Sequence, residues 1–250
     1  MKIQDVIAKI KDVPHMSAEQ GMAIYNMILN NDIVEILELG FAHGTSSCYM
    51  GAALHEKGKG QVTTIDNKSA LQRKPNIHEL LNEFGFTNIK AIFSETTYNW
   101  ELMKIIEKQT INNSCKPIFD FCYIDGAHNF EIDTCAFFLV DKLLKPGGYI
   151  LFDDLKWTYA ESPALKDTKW VNSMPEDEKK TAHVEKITNL IVKQHPNYEN
   201  FQISNNWFLA RKKISSTNSN NSSEKIRLNQ YYKDETVYLS GIKGVLKKLF

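Results

Sequence analysis

Short runs of β-branched and aromatic residues alternate with longer segments of helical spacing over the first 152 positions, and this alternation constrains the fold more than any other feature. The runs are Val34 to Leu39 (VEILEL), Gln61 to Ile65 (QVTTI), Ile89 to Phe93 (IKAIF), Phe119 to Ile124 (FDFCYI) and Tyr149 to Phe152 (YILF). Runs so short and apolar suit strands buried on both faces. Between them lie Ser46 to Lys57, Ile77 to Phe84, Tyr98 to Gln109 and Phe130 to Leu144, which read as helices. Strand and helix in alternation imply right-handed βαβ units and a parallel sheet. Pro146-Gly147-Gly148 stops the last of these helices before the chain re-enters a strand. Further on, the spacing predicts a helix over 176–195. Tyr198 to Ser204 and Trp207 to Arg211, joined by Ser204-Asn205-Asn206, then form a hairpin.

The expected class is therefore α/β, a Rossmann-like three-layer sandwich with a mostly parallel seven-stranded sheet and a C-terminal antiparallel hairpin. Residues 1–213 make that domain, and the polar run Ser215 to Ser223 marks a flexible linker over 214–225. In the tail, 226–250, the residues Ile242, Val245, Leu246, Leu249 and Phe250 follow helical spacing, with Lys243, Lys247 and Lys248 elsewhere on the wheel. Such a basic amphipathic helix either meets an anionic membrane surface or a partner, or folds back onto the domain. With 30 basic and 30 acidic side chains the formal net charge is zero, which argues against nucleic acid as a partner. No stretch approaches the roughly 20 apolar residues of a membrane span, and Met1 to Lys11 lacks the apolar core of a signal peptide. Cys48, Cys115, Cys122 and Cys135 show no CxxC spacing and read as buried free thiols. The expected location is the cytoplasm, with the tail offering peripheral contact at the inner face of the membrane.

In an open parallel sheet, ligands bind beyond the carboxyl ends of the strands, where the strand order reverses. The residues after each run therefore carry the chemistry. Glu38-Leu39-Gly40-Phe41-Ala42-His43-Gly44-Thr45-Ser46 follows the first. Gly40 and Gly44 allow a tight turn and a close backbone approach, and the next helix offers N–H groups at its start. Ala42 stands where the GxGxxG dinucleotide fingerprint has its second glycine, so that fingerprint is absent. Asp66, after the second run, either accepts hydrogen bonds from both hydroxyls of a ribose or caps the Asp66-Asn67 turn. Asp125-Gly126-Ala127-His128 follows the fourth run and Asp153-Asp154 the fifth. Three carboxylates at neighbouring strand ends repel one another unless a cation offsets them, and a hard divalent ion such as Mg²⁺ suits them. The alternative is that Asp125 touches only ligand and Asp153 caps the next segment.

Taken together, Ile36-Leu37-Glu38-Leu39-Gly40-x-x-x-Gly44-x-Ser46, the acid Asp66, Phe119-Asp120-Phe121 to Asp125, and Leu144-Lys145-Pro146-Gly147-Gly148-Tyr149 to Asp153 resemble the S-adenosylmethionine-dependent class I methyltransferases, over residues 14–213. Within that family the chain is similar to the metal-dependent O-methyltransferases of the catechol type, and more so to a bacterial branch with Asp-Gly-x-His after the fourth strand. The resemblance implies S-adenosylmethionine as cofactor. Glu38, Gly40 and Ser46 line its methionine part around the turn that Gly44 closes, Asp66 takes the ribose, and Ser94 lies beside the adenine. Asp125 serves both cofactor and metal, and Asp153 and Asp154 complete the metal set. Catechol-type enzymes carry asparagine at the last of these positions, so Asp154 adds a negative charge.

The general base of the catechol type is a lysine three residues past the first metal aspartate, where this chain has His128. An imidazole with its ordinary pKa of about 6.5 is a reasonable base; the other reading is a helix-start residue bonding backbone groups. His43 suits cofactor or substrate contact, or a plain turn role. His15, His78, His183 and His195 match no motif position, which leaves them surface or capping roles. Trp157, Tyr159 and Trp170 either wall an acceptor pocket or pack an insertion. The leading expectation is metal-assisted O-methylation of a hydroxyl on a small molecule or glycan, by a chain free to form a homo-oligomer. A hydroxylase or oxidoreductase on a related nucleotide-binding fold, and a binding module without catalysis, are the competing readings.

Overall fold

A computed structural model describes residues 2–204 and 206–214. The expected amphipathic tail and all of the linker except Ile214 lie outside these residues. The five runs form parallel strands β1 (Glu35–Leu39), β2 (Gln61–Asn67), β3 (Ile89–Ser94), β4 (Phe119–Ile124) and β5 (Leu144–Phe152). β6 (Tyr198–Ser204) and β7 (Trp207–Lys212) form the expected hairpin. The sheet has the order β3-β2-β1-β4-β5-β7-β6, with β7 antiparallel to β5. At its centre Leu37 of β1 lies between Thr63 of β2 and Cys122 of β4.

Both faces of the sheet are covered, which is why β1 and β4 read as almost unbroken apolar runs. Helices α1 (Ile3–Ile10), α2 (Ala18–Asn30) and α3 (Thr45–Lys57) pack one core around Ile24, Ile28, Tyr49 and Ile36. The helix α4 (Ile77–Phe84) adds Leu80 to it. On the other face α5 (Tyr98–Gln109) and α6 (Phe130–Leu143) bury Leu102, Phe137 and Val140 against Leu37 and Ile150. One charged residue within β4 has a structural role. Asp120 accepts the N–H groups of Val34 (3.1 Å) and Glu35 (2.8 Å) and pairs with Lys145 (2.8 Å), which fixes the start of β1 beside β4.

Four features depart from the sequence expectation. The first is the N-terminal pair of helices, whose signals are present but local: Ile3, Val6 and Ile10 give α1 a buried stripe, and Ser17 with Gln20 forms a capping box for α2. The second is the helix expected over 176–195, which is broken into α8 (Glu176–Lys180), α9 (His183–Ile187) and one wide turn, Thr188–Val192, after a short α7 (Lys169–Asn172). Nothing in α8 is buried, whereas His183, Val184 and Ile187 are, so the chain turns inward at an extended Thr181 whose hydroxyl donates to the Asp177 carbonyl. The third is β5, which begins at Leu144 and takes Pro146 and Gly147 into an irregularity of its pairing with β4, Gly147 having a φ of +83°. The fourth concerns the thiols: Cys48 and Cys122 are buried as expected, while Cys115 is half-buried and Cys135 exposed. Among the described residues no helix is long and apolar enough to cross a membrane.

Candidate active site

The strand order reverses between β1 and β4, so the crevice of the fold opens at their carboxyl ends. The backbones meet closely there. Asp125 N–H donates to the Leu39 carbonyl and Gly40 N–H to that of Ile65, each at 2.8 Å. Gly40 has a φ of +88°, and a Cβ on it would stand 2.1 Å from the Asp125 carbonyl oxygen. Only glycine fits, on both conformational and steric grounds.

On the β1–β2 side each polar group is matched. Glu38 is fully buried, and its carboxylate accepts the hydroxyls of Ser46, Ser47 and, at 2.5 Å, Thr64. Burial raises its pKa to about 7, against the lowering effect of those hydroxyls. Glu38 thus ties the end of β1 to the first turn of α3, beneath the glycine turn. Gly44 begins that helix with a φ of +96° and no side-chain cap. Asp66 accepts the N–H groups of Phe41 (3.0 Å), Ala42 (2.7 Å) and Asn67 (2.6 Å), so its carboxylate caps its own turn and braces the glycine turn. Ser94 is buried at the end of β3 and donates to the Thr97 carbonyl at 2.7 Å. His43 is buried with Nδ1 2.7 Å from the Pro75 carbonyl, and His15 stacks on it.

On the β4–β5 side like charges gather. Asp125, His128 and Asp154 each turn one ligand atom into a group that lies within 4.8 Å. His128 Nε2 is 3.4 Å from Asp154 and 3.8 Å from Asp125. Burial, together with the Asp153 and Asp154 charges, holds the Asp125 carboxyl well above the usual carboxylate range. Burial lowers His128 to about 4, below the ordinary imidazole value expected of it from the sequence, so its imidazole is neutral at neutral pH. Asp153 turns away from the trio. It is buried, accepts the Tyr123 hydroxyl and the Asp154 N–H (2.6 Å), and meets Asp125 only through Tyr123, whose hydroxyl also lies 3.4 Å from that residue.

Two residues here carry no motif signal. Tyr123 is an apolar-looking member of the FDFCYI run whose hydroxyl reaches the strand end. Asn206, at the turn of the hairpin with a φ of +66°, donates to Asp154 (3.2 Å), accepts the Lys156 N–H (2.7 Å), and bonds through its own carbonyl to Leu155 N–H (2.8 Å). Only the fold brings it near β5. Of the aromatic residues, Trp157 packs against His128 with ring centroids 5.0 Å apart, Tyr159 is buried behind it, and Trp170 is exposed on the far side of Tyr159.

A donor set of two carboxylates and a neutral imidazole fits a divalent ion. The 4.8 Å span exceeds twice a typical Mg–O bond, about 4.2 Å, by an amount that side-chain shifts of a few tenths of an ångström close. The cation charge would relieve the repulsion that raises Asp125.

Residues 37–155, from β1 to just past β5, match a family model described as a methyltransferase domain. No curated protein matches by sequence. Solved structures share the fold at low identity. An O-methyltransferase from Bacillus cereus in complex with SAH is 17% identical, with a TM-score of 0.57 over 84% of this chain and 88% of that one. The O-methyltransferase TomG from Streptomyces achromogenes, involved in tomaymycin synthesis and bound to SAM, is 18% identical, with a TM-score of 0.54 over 84% and 86%. MycE of the mycinamycin pathway, in complex with Mg, SAH and mycinamycin VI, is 15% identical, with a TM-score of 0.53 over 89% of this chain and 57% of that one. The matched segment contains both the glycine turn and the carboxylates, and the chain shares the class I methyltransferase fold of these structures.

Proposed function

We propose that the protein transfers the methyl group of S-adenosylmethionine to a hydroxyl oxygen of a small-molecule or glycan acceptor with the help of a divalent cation. The observation that carries this reading is the meeting, across one crevice, of a pre-shaped nucleotide turn and a cation-demanding trio. S-adenosylmethionine bound at the turn supplies an electrophilic methyl group. Gly40 lets its methionine part approach the backbone, Asp66 faces the ribose, and Ser94 shapes the β3 end beside the adenine. Glu38 acts from below by fixing the start of α3 through Ser46 and Ser47.

A divalent ion supplies positive charge that acidifies the acceptor hydroxyl. Asp125 and Asp154 hold it, while Tyr123 and Asn206 orient carboxylates through hydrogen bonds, as outer partners of metal ligands do. Asp153 contributes charge at closer quarters to Tyr123 than to the trio. His128, neutral and beside both carboxylates, accepts the acceptor proton at Nε2, and the carboxylates stabilise the imidazolium that results. Trp157 shields that proton transfer from water on one side. The chain then contributes mainly the alignment of oxygen, methyl carbon and sulfur.

A second reading rests on the same trio: His128 Nε2 is close enough to both carboxylates to be a third ligand, which would widen the choice of metal from Mg²⁺ to Mn²⁺ and other ions that accept imidazole. Titration of His128→Ala with Mn²⁺ separates the two. A base leaves Mn²⁺ affinity unchanged, and a ligand loses about 10-fold or more. Titration of the wild type with S-adenosylhomocysteine and with NAD⁺ tests the activity class, since NAD⁺ binding alone would make the protein an oxidoreductase and binding of neither a non-catalytic module.

A further inference from the structure

The loop from Asp125 to Asn129 carries two of the three metal donors, and its shape is not set by main-chain hydrogen bonding alone. Two of its N–H groups, and the first N–H of α6, point to buried side chains on three separate helices. Ala127 N–H donates to the Tyr98 hydroxyl of α5 at 3.2 Å, Asn129 N–H to the Asp133 carboxylate of α6 at 3.2 Å, and Phe130 N–H, at the start of α6, to Nδ1 of His183 of α9 at 3.1 Å. Tyr98 and Asp133 are themselves joined, the hydroxyl donating to the carboxylate. Nε2 of His183 lies 2.9 Å from the Glu178 carbonyl, which fixes its ring. All three side chains are buried, and Gly126 leaves room for the Tyr98 ring, which a Cβ would meet at 2.4 Å. The loop so held gives His128 a φ of +49°, a backbone state that a histidine rarely adopts without such support.

Burying a carboxylate, a phenol and an imidazole costs free energy unless each is matched, and here the matching partners are largely the N–H groups of this one loop. His183 also joins the loop to the insertion after β5, since Tyr159 packs on its ring and Trp157, against His128, packs on Tyr159.

We propose that Tyr98, Asp133 and His183 are positioning residues that clamp the loop between β4 and α6, and so set the separation of Asp125 and His128 on which cation binding depends. The proposal rests on the second reading above, in which His128 is the third metal ligand. Tyr98→Phe tests it cleanly, because the ring stays against Gly126 while the hydroxyl that serves Asp133 and Ala127 is removed. Asp133→Asn is the second variant. Free Mn²⁺ is measured by electron paramagnetic resonance on the full chain, with S-adenosylhomocysteine titrated in parallel. Each variant is expected to lose about 10- to 100-fold in Mn²⁺ affinity and to keep its S-adenosylhomocysteine affinity within about threefold. Unchanged Mn²⁺ affinity in both variants, with or without a lowered melting temperature, would reduce Tyr98 and Asp133 to scaffold and overturn the proposal. Equal losses of both ligands would do the same. A wild-type protein that binds no Mn²⁺ would instead reject the metal reading, and the clamp with it.

Discussion

The two banks of the crevice solve opposite problems. On the β1–β2 bank the acids are already served: three hydroxyls occupy Glu38, and three backbone N–H groups occupy Asp66. On the β4–β5 bank burial raises Asp125, Asp153 and Asp154, the Asp154 charge raises the other two further, and Tyr123, Asn206 and one backbone N–H answer them. The first bank is pre-shaped by its own hydrogen bonds. The second has a charge imbalance that a cation would correct. A site for a constant cofactor can be finished by folding, whereas a site that must polarise an acceptor oxygen keeps its strongest charges uncommitted.

Substitutions can break this contrast in graded ways. The largest effect belongs to Gly40→Ala, because the change strains a φ of +88° and drives a methyl group into the Asp125 carbonyl, so both banks shift at once. Urea denaturation should show a loss of more than about 3 kcal/mol, with binding of both S-adenosylhomocysteine and Mn²⁺ lost. A tolerated Gly40→Ala would mean that the banks are not in contact through this point.

Asp125→Ala comes next and should act mainly on one bank, with Mn²⁺ affinity falling at least about 100-fold, near 3 kcal/mol, by titration calorimetry. Its mirror on the other bank is Asp66→Ala. Losing the ribose acceptor should weaken S-adenosylhomocysteine by roughly 10- to 100-fold, with Mn²⁺ affinity unmoved. A loss of both ligands in Asp66→Ala would dissolve the division.

The smallest change is the most pointed. Asp154→Asn removes one of the mutually repelling charges and leaves a residue at home at a φ of +54°. Without metal this variant should melt a few degrees above wild type by scanning calorimetry, while its Mn²⁺ affinity falls by less than about 10-fold. Glu38→Gln should melt below wild type, since the amide cannot accept from all three hydroxyls as the carboxylate does.

The same contrast decides what could be read from the sequence. The parallel sheet was legible because strands buried on both faces leave unbroken apolar runs, and four of the five runs match β1 to β4 within two residues at each end. Gly40, Asp66 and Asp125 were legible because strand ends point at the crevice in any fold of this kind. Helix 176–195 was misread because its periodicity hides a change of environment at Thr181, from an exposed charged turn to a buried one. Asn206 was hidden because its partner Asp154 lies on another strand, and Tyr123 because a tyrosine in an apolar run shows no sign of where its hydroxyl ends. His183 matched no motif and was expected at the surface or in a cap. It is buried against Phe130 N–H, a contact that exists only once α9 has folded against α6.

On this reading the cofactor bank is complete without metal, while the acceptor bank requires it. Calorimetric titration of the full chain with S-adenosylhomocysteine, once in chelator and once in Mn²⁺, tests it most directly. The S-adenosylhomocysteine dissociation constants should agree within about threefold in the two conditions, beside a separate Mn²⁺ binding event. S-adenosylhomocysteine binding that disappears in chelator, or no binding in either condition, would contradict it.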